Sequence, residues 1–123
     1  MLADCLASIY KHESLINFEV IVVNKLNNDG TPELIKAKYP QVQLINTTKA
    51  FGIALIRNIG MRAAQGKYIL HLDVDTTIFN DTFEKMVSFM ENQPDAGCAG
   101  GKLLSPDGSL QYSCRTFYDF PTI

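Results

Sequence analysis

Three short apolar runs, Phe18–Val23, Val42–Ile45 and Tyr68–Leu72, alternate with two stretches of helical spacing, and this alternation limits the fold more than any other feature. Runs this short and this rich in Val, Ile and Leu read as buried strands. Between the first two, Thr31 reads as a helix N-cap with Pro32 at the first helical position, and Tyr39-Pro40 ends the helix, because a residue before proline avoids the helical region. Between the second and third, Gly52–Ala64 places Ile53, Ile56, Ile59 and Ala63 at helical spacing and stops before Gly66. Strand, helix, strand, helix, strand predicts an α/β domain with a mostly parallel sheet built by right-handed crossovers. A helix over Leu2–Lys11 stands first, where a doubly wound domain usually opens with a strand. Asp81-Thr82-Phe83-Glu84 matches a capping box and predicts a helix to Asn92. Cys98–Ser113 reads as a strand, a turn at Ser105-Pro106-Asp107-Gly108 and a return strand. No linker divides the chain, so residues 1–123 are expected to form one domain, long enough to bury a core.

The third run ends in Asp73-Val74-Asp75. Open α/β sheets bind ligands at the carboxyl ends of their strands. In an extended segment residues i and i+2 point the same way, so both carboxylates are expected to face one site. Hard oxygen ligands of this kind suit a divalent cation that bridges to phosphate. The structural alternative is a turn former or helix N-cap, which is what Asp after a strand most often is.

Composition narrows the partners. The formal net charge is −2 and no basic stripe appears, which argues against nucleic acid. No apolar run approaches the roughly 20 residues needed to span a bilayer, and Met1–Cys5 lacks the basic and apolar regions of a signal peptide. Cys5, Cys98 and Cys114 have no metal-ligand spacing and read as reduced thiols in a cytoplasmic protein, Cys5 and Cys98 at apolar positions.

Taken in order, the motifs resemble the nucleotide-sugar half of the family 2 glycosyltransferases, whose fold is called GT-A. The stretches that carry the resemblance are Leu2–Ile9, Glu19–Val23, Asp29-Gly30-Thr31, Phe51-Gly52 through Arg57-Asn58-Ile59-Gly60, Gly66–Thr76 and Leu103–Gln111, the last similar to a hairpin of rhamnosyltransferase-like members. The resemblance implies a GT-A-like, Rossmann-like domain and a nucleotide-diphosphate sugar (a UDP-, dTDP- or GDP-sugar) bound with Mn²⁺ or Mg²⁺. It implies an inverting hexosyl or rhamnosyl transfer to a saccharide or lipid-linked acceptor. Asp75 would be the metal ligand, with Asp73 nearer the ribose or the metal's water shell. Asn24, where the family carries Asp, would accept from the base through its carbonyl oxygen. Asp29 either holds the nucleotide loop or closes an Asx-turn before Gly30. Arg57 either approaches the nucleotide or covers a helix with its stem. His71 is expected to be a satisfied core histidine, and Thr76 and Thr77 to order the loop after the acidic pair.

The resemblance also implies that the family's first strand precedes Met1 and its catalytic carboxylate follows Ile123. The chain alone is therefore expected to transfer sugar weakly or not at all, and its unpaired strand edges to favour a homodimer. The parent enzyme would work at the cytoplasmic membrane face. Two other readings stand beside this one: a donor-domain remnant that binds or assembles without turnover, and a haloacid dehalogenase-like phosphatase with Asp73 as nucleophile and Lys102 as its lysine.

Overall fold

The computed structural model describes residues 1–11, 16–25, 29–48, 52–79 and 81–113. The elements in order are α1 (Leu2–Lys11), β1 (Ile21–Lys25), α2 (Thr31–Lys38), β2 (Gln43–Thr47), α3 (Ile53–Ala63) and α4 (Thr82–Asn92). The chain divides into two compact units, Met1–Val87 and Ser88–Ile123. No helix among the described residues is long and apolar enough to cross a membrane.

The first unit is a mixed α/β layer consistent with a GT-A, Rossmann-like fold. Its sheet has two parallel strands, with Ile21 opposite Gln43 and Lys25 opposite Thr47. Parallel strands need a helical crossover, and α2 supplies it. Gly30 at φ 76° caps α2 in the left-handed region and Pro32 sits in its first turn. The cap is thus Gly30 rather than Thr31. The Thr31 amide is held instead by Asp29 Oδ1 at 3.1 Å.

α1 places Leu2, Cys5, Leu6 and Ile9 on one stripe, and its buried residues form the core with Ile35 of α2, Val42 just before β2, and Ile78. Leu6 is only 1% exposed. Tyr10 stacks on Tyr39 with ring centroids 5.8 Å apart, and Phe18 meets Phe83 edge-on at 5.3 Å. α3 packs on β1. Gly60 makes the approach close, since a Cβ there would stand 3.4 Å from Val23 Cγ2.

The third apolar run does not form a strand. Tyr68–Leu72 makes no ladder, and Ile69 and Leu70 are 49% and 44% exposed. A strand is a property of a pair, and among the described residues β1 pairs with β2 alone. From the register, Ile21 and Val23 turn their N–H and C=O groups away from β2. Between that free edge and the segment Ile69–Val74 lies an open, mostly apolar groove of about 400 Å³, walled also by α1 and by α3 through Ile56 and Gly60.

In the second unit the turn falls where the sequence placed it. Gly108, at φ 82°, donates its N–H to the Ser105 carbonyl, and Leu104 bridges Leu110 antiparallel. The bridge is isolated, so the expected pair of strands is reduced to one rung. Asp107 Oδ1 accepts from the Ser109 amide and hydroxyl at 2.9 and 2.6 Å, which holds its carboxyl below the usual range.

Candidate functional site

Asp73-Val74-Asp75 is a turn rather than the end of a pleated strand. The Thr76 amide and hydroxyl both donate to the Asp73 carbonyl, at 3.1 and 2.6 Å. The period-two argument for the two carboxylates therefore does not apply. What the turn does show is that both residues lie on one short, backbone-braced loop with their side chains in solvent. Thr76 orders this loop, as its position after the acidic pair suggests.

Both carboxylates are exposed. Asp73 Oδ1 pairs with Arg57 at 3.3 Å, their side chains 71% and 47% exposed. Arg57 thus reaches the acidic turn from α3 instead of merely covering a helix. Asp75 has neither a hydrogen bond nor an ion pair among the described residues. No third His, Cys, Asp or Glu among them completes a metal-binding cluster. Two carboxylates on one turn can supply a magnesium-like ion with part of its oxygen shell, leaving phosphate and water to complete it.

The remaining expected residues lie elsewhere. Asn24, buried at the end of β1, donates Nδ2–H to Asn46 Oδ1 at 3.0 Å, while its carbonyl accepts from the Thr47 hydroxyl at 3.2 Å. Asp29 closes an Asx-turn on Thr31, whose hydrogen bonds hold its carboxyl below the ordinary value of 3.8. Neither Asn24 nor Asp29 bonds to the acidic turn. His71 is exposed, not a core histidine, because the run that was to bury it is not in a sheet. Cys98 is exposed as well, while Cys5 is buried as expected.

The residues beneath the turn escaped the sequence reading. Ser8, buried in α1, donates to the Cys5 carbonyl at 2.7 Å and accepts the Ile78 amide at 3.0 Å. Cys5 Sγ points at the Asp73 carbonyl from 4.0 Å. Burial pushes the Cys5 thiol up; a hydrogen bond with Thr76 lowers it and the nearby Asp75 charge raises it further. Glu19 Oε1 accepts the amides of Gln65 and Gly66, at 2.7 and 3.1 Å, and pins the chain where it leaves α3 for the acidic turn. The only signal for Ser8 was a hydroxyl interrupting the apolar stripe of α1. Glu19 carried none.

The sequence profile of glycosyl transferase family 2 matches residues 1–120. The chain belongs to that family. Among curated family relatives, a Haemophilus influenzae protein described as an uncharacterized glycosyltransferase is 39% identical over 82 residues, 64% of this chain and 33% of the relative. An N-acetylglucosaminyltransferase of Bradyrhizobium elkanii is 33% identical over 108 residues, 85% of this chain and 59% of the relative. A putative teichuronic acid biosynthesis glycosyltransferase of Bacillus subtilis is 29% identical over 98 residues, covering 76% and 38%. The chain thus spans between a third and three-fifths of these family 2 relatives' length. No solved structure matches it significantly.

Proposed function

We propose that this family 2 glycosyltransferase binds the diphosphate of a nucleotide sugar through Mn²⁺ or Mg²⁺ at the Asp73–Asp75 turn, for inverting transfer to a saccharide or lipid-linked acceptor. The observation that carries the reading is the exposed Asp75 carboxylate, without a hydrogen bond or ion pair among the described residues, on a turn braced by its own backbone, with Arg57 alongside. Asp75 ligates the cation and Asp73 stands at its edge, while Arg57 is placed to meet a phosphate. When bound, the cation offsets charge developing on the departing diphosphate. Asn24 and Asn46 together offer amide donors and acceptors without a charge, which suits an uncharged base edge. No residue of this chain is assigned as the base that deprotonates the acceptor. Hexosyl transfer agrees with the description of the Bradyrhizobium relative as an N-acetylglucosaminyltransferase. The free outer edge of β1 is assigned as a surface for self-association.

Calorimetric titration with UDP, dTDP and GDP, with and without Mn²⁺, tests the reading on the unsubstituted chain and on Asp75→Ala. Metal-dependent binding that Asp75→Ala abolishes is expected, and the strongest ligand names the base. Nucleotide binding indifferent to both Mn²⁺ and Asp75 would sink the metal assignment. Binding without sugar turnover is the signature of a donor-binding unit acting alone, and release of inorganic phosphate would point to Asp73 as a nucleophile instead.

A further inference from the structure

α1 grips the loop that carries the acidic turn at two points. Upstream, the Cys5 thiol faces the Asp73 carbonyl at 4.0 Å; downstream, the Ser8 hydroxyl takes the Ile78 amide at 3.0 Å. Ser8 is buried, and its proton is committed to the Cys5 carbonyl at 2.7 Å, so its oxygen is left to accept. Ile78 is itself part of the core, packed with Cys5, Leu6 and Ile9. The turn therefore stands on a fixed floor, while its carboxylates stay in solvent. A buried amide without an acceptor costs much of its desolvation, so losing the hydroxyl would lift the loop or force it to repack.

We infer that Ser8 is a positioning residue for the cation-binding turn: through the Ile78 amide it fixes where the Asp75 carboxylate stands. Groups that orient a metal's ligands without touching the metal are worth about 10–100-fold in affinity. The hydroxyl acts at one remove from Asp75, so Ser8→Ala should weaken Mn²⁺·UDP binding about tenfold, the low end of that range. The inference rests on the metal reading above, and the controls separate the two.

Mn²⁺·UDP affinity is measured by calorimetry below the melting temperature of every variant, on the unsubstituted chain, Ser8→Ala, Ser8→Thr, Ile9→Val and Asp75→Ala. Ile9→Val trims the same helix where it packs near Ile78 but leaves both bonds in place, so it reports what loosened packing does with the hydroxyl still present. The expected result is weaker binding in Ser8→Ala, recovery in Ser8→Thr, and unchanged affinity in Ile9→Val. Equal losses in Ser8→Ala and Ile9→Val, or no loss in Ser8→Ala while Asp75→Ala abolishes binding, overturn this inference alone. Binding that survives Asp75→Ala overturns the metal reading and this inference with it. A second measurement needs no variant: hydrogen exchange on the unsubstituted chain should find the Ile78 amide protected, and exchange there at open-loop rates also overturns the proposal.

Discussion

Asp29 shows how one residue can satisfy two readings of a sequence and how geometry chooses between them. Its carboxylate accepts the Thr31 amide and is depressed by that bond. A depressed folded-state value means that the contribution to α2 is complete above the unfolded value and is lost as pH falls through the folded one. The Thr31 amide resonance should therefore titrate with a midpoint below 3.8, the ordinary value for this carboxyl, and Asp29→Ala should remove that titration. NMR across the acid range checks both. Asp73, Asp75 and Arg57 could be picked from residue type and order, because carboxylates and guanidinium groups advertise their chemistry. Ser8 and Glu19 could not, since each acts on a backbone amide tens of residues away, and backbone amides have no sequence signature.

Helices were the legible elements. The spans over α1, α3 and α4 follow from local period and composition, and the structure moves their ends by a residue or so. Tyr68–Leu72 misled because its residues carry strand propensity but pair with no edge, the open groove lying between them and β1, and propensity measures fit to a sheet that must already exist. Two substitutions probe how the elements are held. Leu6→Ala removes a side chain that is 1% exposed at the centre of the α1 core. It should cost about 2–5 kcal/mol in chemical denaturation, the range for buried Leu truncation. Gly60→Val should be destabilising, because its Cβ would already stand 3.4 Å from Val23 Cγ2 and the added branches would crowd the face of α3 that packs on β1. Gly60→Ala is expected to stay within about 1 kcal/mol of the parent, helix propensity offsetting the tight contact.

At the scale of the first unit, the open groove beside β1 is the feature most exposed to test. Ile21 and Val23 present amides there with no partner among the described residues, so they should exchange with solvent far faster than Val22, which faces β2. A concentration-dependent slowing of the two, with a matching rise in mass by light scattering, would mark self-association through this edge. Equal protection of all three amides in dilute monomer would show that the edge is already covered. The Arg57–Asp73 pair has a consequence for the order of events at the acidic turn. At rest the guanidinium cancels one of the two negative charges, so a free cation meets little more than Asp75. On the proposed reading, a diphosphate arriving with its cation would draw Arg57 away and free the Asp73 carboxylate. Metal and nucleotide would then load as a unit, and metal alone would be disfavoured. Arg57→Ala should then tighten the binding of free Mn²⁺ while weakening that of Mn²⁺·UDP, each only a few-fold because the pair is largely in solvent.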